Sequence, residues 1–112
     1  MEIAEPIETD RTDSVKPVIV IHGGAGNISR DNIPDSVATL YTEALNEALA
    51  IGNSILINDG TALEAVEATI KIMEDNPLFN AGRGSVLNMK GEVENDASIM
   101  DGTTLEAGAV SG

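Results

Sequence analysis

Three short segments concentrate the residue types that can position a reacting group. His22-Gly23-Gly24-Ala25-Gly26 places the chain's single histidine ahead of three glycines. Phe79-Asn80-Ala81-Gly82-Arg83-Gly84 sets an amide and a guanidinium among two more, and Asp96-Ala97-Ser98-Ile99-Met100-Asp101-Gly102 carries two carboxylates and a hydroxyl. Glycine lets backbone come close to a reacting group, and an asparagine amide offers both donors and an acceptor. Cysteine is missing, which removes disulfides, thiolate metal sites and a cysteine nucleophile together; serine or threonine chemistry stays open. Each segment also has a plain structural reading: a tight turn after a strand, a loop built on a turn-forming asparagine, and a strand with its turn. His22 alone reads as a buried hydrogen-bonding histidine rather than a general base.

These segments need elements to hold them. Val18-Ile19-Val20-Ile21 is a β-branched run that stops at the glycines, which predicts a strand buried on both faces followed by a tight loop. Apolar and small residues at Val37, Leu40, Tyr41, Ala44, Leu45, Ala48, Leu49, Gly52, Ile55 and Leu56 have helical spacing. Pro34 suits the first turn of that helix, and Asn58-Asp59-Gly60 supplies a left-handed stop. Thr61 and Glu64 are spaced as a capping box, opening a second helix with Ala62, Ala65, Val66, Thr69, Ile70 and Met73 inward. So short a link predicts antiparallel packing.

Asn76-Pro77 ends the second helix, and residues 78–84 read as loop. Residues 85–87 and 92–100 read as strands joined by Asn88-Met89-Lys90-Gly91, and Asp101-Gly102 turns the chain again. Residues 107–112 are small and apolar, with nothing expected to pair them, which suggests truncation. The expected class is α/β, or α+β, with helices laid on a mostly antiparallel sheet.

Charge and composition bound the functions. Six Lys and Arg against 19 Asp and Glu give a net charge of −13, so nucleic acid and anionic membrane surfaces are poor partners. The longest early apolar run, residues 18–21, falls far short of the roughly 20 residues of a membrane helix. Residues 1–16 are acidic and broken by Pro6, predicting a disordered tail without the features of an export signal. The compartment stays open, with the cytoplasm favoured. One core is all that 112 residues hold, and with Tyr41 and Phe79 the only aromatics it must be built of aliphatic side chains.

Taken together and in order, the three segments resemble the plant-type L-asparaginase/isoaspartyl peptidase family of N-terminal-nucleophile hydrolases, over residues 17–112. Threonine aspartases share much of the pattern and remain a more remote alternative. The resemblance implies the amino-terminal part of an α subunit, contributing to an αββα sandwich. It implies a precursor that cleaves itself before a threonine, whose α-amine and hydroxyl then serve as base and nucleophile toward L-asparagine or β-aspartyl dipeptides. The nucleophile, the substrate clamp and the oxyanion hole all belong to a later segment. Thr103 follows a glycine but lacks the family's glycine-threonine-valine-glycine context, and Thr61 is better explained as a helix cap. Arg83 reads as a solvated arginine, no substitute for the missing clamp.

By the same resemblance Asn80 matches the asparagine that orients the nucleophile, and His22, Gly23 and Gly24 match the floor against the processing site. The loop of residues 73–83 matches one that wraps a structural sodium ion with the main-chain carbonyls of Met73, Glu74, Asn76, Phe79, Ala81 and Arg83. No organic cofactor is implied. Partners would be the small-molecule substrate, the rest of the precursor, and a second processed α/β pair in a homodimer. Two other readings stand beside it. Residues 18–26 could be a strand and phosphate-cradling loop, though no Gly-Lys-Ser/Thr follows and the acidic chain offers little to neutralise phosphate. The chain could also be an inactive fragment or truncated relative that acts only by association.

Overall fold

The structure is a computed structural model and describes residues 16–26, 29 and 31–112. The expected acidic tail, Lys16 apart, lies outside these residues. Helix α1 (Asp35–Ile57) and helix α2 (Ala62–Asp75) are followed by a 3-10 turn (Gly82–Gly84) and two strands, β1 (Ala97–Met100) and β2 (Ala107–Val110).

Helix α1 covers the predicted stripe, with Pro34 one position outside as an extended N-cap (φ −63°, ψ 152°). Pro34 has no N–H to satisfy, and its carbonyl accepts from the N–H groups of Val37 and Ala38 at 3.1 and 3.0 Å. At the far end the left-handed residue is Asp59 (φ 62°), not Gly60. The Gly60 N–H reaches the Ile55 carbonyl at 2.8 Å and the Asp59 N–H reaches Leu56 at 3.2 Å, the paired bonds of a Schellman motif. Gly60 is needed for closeness: a Cβ there would lie 2.8 Å from the Ile55 carbonyl oxygen.

Thr61 then opens α2 as predicted. Its hydroxyl accepts from the Glu64 N–H at 3.1 Å while the Glu64 carboxylate accepts from the Thr61 N–H at 3.0 Å. Such a cap contributes about 1 kcal/mol. With this link the helices fold back antiparallel: Ala44 and Ala48 sit with Met73 in one cluster, while Gly52 faces Thr69 and Ala65. Ala44, Ala48 and Gly52 recur every four residues, as do Ala65, Thr69 and Met73. The small residues of these rows let the helices approach closely where Gly52 meets Ala65 and Thr69. The expected inner face of α2 needs correction, since Ala62 is exposed and Val66 and Ile70 are 44% and 46% exposed. The contact stripe lies one position round the helix. Within it Thr69 is 2% exposed, and its Oγ1 has no hydrogen-bond partner among the described residues.

The core is completed by Phe79, which meets Tyr41 edge-on at 6.1 Å between ring centroids. Ile21, Tyr41, Leu45, Ile72 and Leu78 pack around it. Ile21, directly before the first candidate segment, and Phe79, the first residue of the second, are thereby held by the core.

Elsewhere the structure departs from expectation. Residues 18–21, expected as a strand, form none among the described residues, with Val18 and Val20 81% and 86% exposed while Ile19 and Ile21 are half-buried. A β-branched run signals extended backbone; burial on both faces needs neighbouring strands that these residues do not supply. Residues 85–87 and 92–96 form no ladder, yet the turn between them is present: Asn88 and Glu92 pair at 2.8 Å and Gly91 takes φ 79°. Residues 107–110 are paired after all, antiparallel to β1 with Ala97 opposite Val110 and Met100 opposite Ala107. The chain turns at Asp101 as expected, with Leu105 taking the left-handed conformation (φ 64°). Every residue of the two strands is exposed, and the principal contacts among the described residues are α1 with α2, β1 with β2, and α2 with the 3-10 turn. The helices are not laid on the sheet, because neither face of it is covered. What stands is a mixed α/β arrangement of two helices and a two-stranded antiparallel sheet.

Candidate functional site

Two of the three candidate segments come together. A cleft of about 470 Å³ is lined by His22, Gly23, Gly24, Ala25 and Gly26 on one side and by Leu78, Phe79, Asn80 and Ala81 on the other, with Tyr41, Ile70, Met73 and Glu74 between. The third segment, residues 96–102, lies in the exposed hairpin and its turn and contributes nothing to this cleft.

Asn80 is exposed, and its orientation is settled by its neighbour. Its Oδ1 accepts from the Val86 N–H at 2.9 Å. A backbone N–H can only donate, so the amide oxygen must face Val86 and the Nδ2 end must face away. Among the described residues that end has no partner. Asn80 thus ties the loop to Val86 through its oxygen, and among the described residues its two Nδ2 donors remain free at the cleft.

His22 is exposed, not buried, and its Nδ1 accepts from the Gly24 N–H at 3.0 Å. Gly24 takes φ 125°, which favours glycine, while Gly23 has little room: a Cβ there would lie 3.2 Å from Leu45 Cδ2 and 3.4 Å from Phe79 Cε1. The glycine loop rests on the same aromatic ring that carries Asn80.

The loop after α2 is tightly wound. Carbonyls of Met73, Asn76, Phe79 and Ala81 accept from the N–H groups of Asn76, Phe79, Ala81 and Gly84 at 3.2, 3.2, 2.8 and 3.1 Å. Each keeps a second lone pair. The Glu74 carbonyl lies where a Cβ on Gly82 would overlap it, and the Phe79 carbonyl lies likewise against Gly84. Main-chain oxygens thus crowd one small loop, a donor set that suits a hard cation. Among the described residues no cluster of three histidine, cysteine, aspartate or glutamate side chains could hold a metal. Arg83 donates from Nε to Asp75 at 3.2 Å, tying the loop back to α2. The perturbed titrations lie off the cleft, where a hydrogen bond from Lys71 holds the Glu67 carboxyl below the usual range.

Sequence reasoning missed Tyr41 and Ile70 as cleft wall. Tyr41 fell on the helical stripe and read as core, while Ile70 read as interface and instead faces outward.

No helix among the described residues is long and apolar enough to cross a membrane. The family model described as Asparaginase matches residues 15–112. An isoaspartyl peptidase/L-asparaginase of Danio rerio is 53% identical over 95 residues, 85% of this chain and 29% of that protein. A plant-type L-asparaginase of Pyrococcus horikoshii is 53% identical over 95 residues, 84% of this chain and 29% of its own length. The isoaspartyl peptidase/L-asparaginase of Homo sapiens is 49% identical over 98 residues, 87% of this chain and 30% of its own. The chain spans about three tenths of the length of these curated relatives. With the glycine loop and the asparagine loop on one cleft, and with the family model and these relatives matching nearly the whole chain, the chain belongs to the plant-type L-asparaginase/isoaspartyl peptidase family.

Proposed function

We propose that residues 17–112 form part of an amidohydrolase acting on L-asparagine and β-aspartyl dipeptides, supplying the floor of a site whose threonine nucleophile lies outside these residues. The observation that carries this reading is the meeting of His22, Gly23 and Gly24 with Asn80 on one cleft, in a chain about half identical to proteins named for these activities. In the complete protein the threonine hydroxyl oxygen bonds to the side-chain carbonyl carbon and its proton passes to the threonine's own α-amine. The carbon–nitrogen bond then breaks, ammonia or the dipeptide's amine leaves with a proton, and water hydrolyses the ester that remains. Asn80, with Oδ1 committed to Val86, turns Nδ2 donors toward the nucleophile and holds it in line. The glycine loop lets the self-cleaving backbone come close.

The two helices serve as one helical layer of an αββα sandwich, with the β1–β2 hairpin extended by strands of the rest of the protein. The carbonyls of Met73, Glu74, Asn76, Phe79, Ala81 and Arg83 hold sodium, which when bound stiffens the loop that carries Asn80. Processed α/β pairs associate as a homodimer.

Ammonia release from L-asparagine and aspartate release from a β-aspartyl dipeptide test this on the complete protein. Both appear once the chain has cut itself; an uncut protein with equal turnover, or a cut one with none, overturns the reading. Residues 1–112 alone are expected to release no ammonia above a heat-killed control.

A further inference from the structure

The hydrogen bond inside the glycine loop carries a consequence for how the histidine works. We propose that His22 is a positioning residue acting through Nδ1, which as the unprotonated nitrogen of a neutral ring fixes the backbone of Gly24 on the cleft floor. This rests on the reading of the cleft given above and deepens it.

Nδ1 receives the Gly24 N–H at 3.0 Å, so it carries no proton and the neutral ring bears its proton on Nε2. The lone pair that a general base would offer is already used on the chain's own backbone. Nε2–H is a donor and has nothing with which to take a proton.

Gly24 needs that tether. Its φ of 125° is chosen for conformation and not for room, since nothing lies within 4 Å of where its Cβ would be. A glycine populates both signs of φ with similar ease, so a local bond must select one. Gly23 is fixed from the other side by Leu45 and Phe79. The loop is thus packed at one residue and tied at the next.

The same bond, from a side-chain acceptor to the N–H two residues on, recurs elsewhere in the chain. Asn76 holds Leu78 at 3.0 Å, Asn88 holds Lys90 at 2.8 Å and Asp101 holds Thr103 at 2.8 Å. In those turns a side-chain oxygen does what imidazole nitrogen does at position 22. Asparagine therefore reproduces the Nδ1 acceptor there, whereas glutamine, longer by a methylene, reaches the position of Nε2.

The experiment compares self-cleavage on gels and turnover per cleaved molecule for the complete protein and its His22→Asn, His22→Gln and His22→Ala variants. His22→Asn keeps both rates within about threefold, and His22→Gln and His22→Ala slow them about tenfold or more, the size expected for a lost positioning hydrogen bond. Rescue by glutamine but not asparagine, an asparagine variant as slow as alanine, or wild-type rates in all three overturns the proposal. Imidazole nitrogen NMR of the wild-type protein reads the tautomer without any variant: a proton on Nε2 supports the proposal, and one on Nδ1 overturns it. A wild-type protein with that tautomer but no self-cleavage faults the hydrolase reading and leaves the His22 geometry standing.

Discussion

In the helix pair, small residues on facing stripes exclude water, and Phe79 closes the end where the two cleft segments meet. In the β1–β2 hairpin the register is equally definite, yet Ile99, Met100 and Val110 remain 42%, 53% and 70% exposed. Both regions have well-satisfied turns, so local hydrogen bonding does not separate them. Burial does. The helix pair finds its partner within a link of a few residues, whereas a sheet needs a covering layer from elsewhere. The cleft sits on the region that stabilises itself.

That contrast breaks first at Phe79, 4% exposed and packed against Tyr41, Leu45 and Met73 through the common cluster. Phe79→Ala is expected to cost about 3 kcal/mol and to release Asn80 from the cleft wall, read by urea unfolding of the 112-residue chain. A loss no larger than that of a surface substitution would deny the cluster its role. Gly52→Ala comes next, since a Cβ there would overlap both Thr69 Oγ1 and Ile19 Cδ1. Prying the helices apart is expected to cost about 2 kcal/mol in the same measurement.

Thr69→Val should move stability the other way. The hydroxyl is buried and unpartnered among the described residues, so an isosteric methyl gains about 1 kcal/mol, seen as a higher urea midpoint. The smallest effect is expected at Ile99→Thr, below about 0.5 kcal/mol in the 112-residue chain because the strand is solvated. In the complete protein the same substitution costs about 1–3 kcal/mol if a second layer covers this sheet, and its failure to grow would count against the sandwich.

How much could be read in advance follows the same division. The capping box at Thr61 and the stop after Ile57 are local and were legible in residue types alone. The left-handed stop falls within Asn58-Asp59-Gly60 as read, and the structure divides its tasks: Asp59 takes the positive φ while Gly60 is selected by contact with Ile55. Residues 18–21 read as a strand buried on both faces, but they form no strand among the described residues and leave Val18 and Val20 exposed, since pairing and burial both depend on neighbours far along the chain. At the site, glycine spacing and a lone asparagine marked the two loops, but their meeting depends on Ile21 and Phe79 entering one core, which no motif states. The orientation of Asn80 also depends on Val86, six residues on, in a stretch that had read as a strand.

The most direct measurement is the rate of self-cleavage of the complete protein carrying Asn80→Asp. Aspartate keeps an oxygen for the Val86 N–H and so preserves the loop, but it removes the Nδ2 donors proposed to orient the threonine. Asn80→Ala loses both and cannot separate them. Self-cleavage and turnover per cleaved molecule are expected to fall about ten- to a hundredfold in Asn80→Asp with an unchanged urea midpoint, the cost of one positioning hydrogen bond. Wild-type rates in a stably folded Asn80→Asp protein would contradict the account and leave Asn80 as a loop clamp alone.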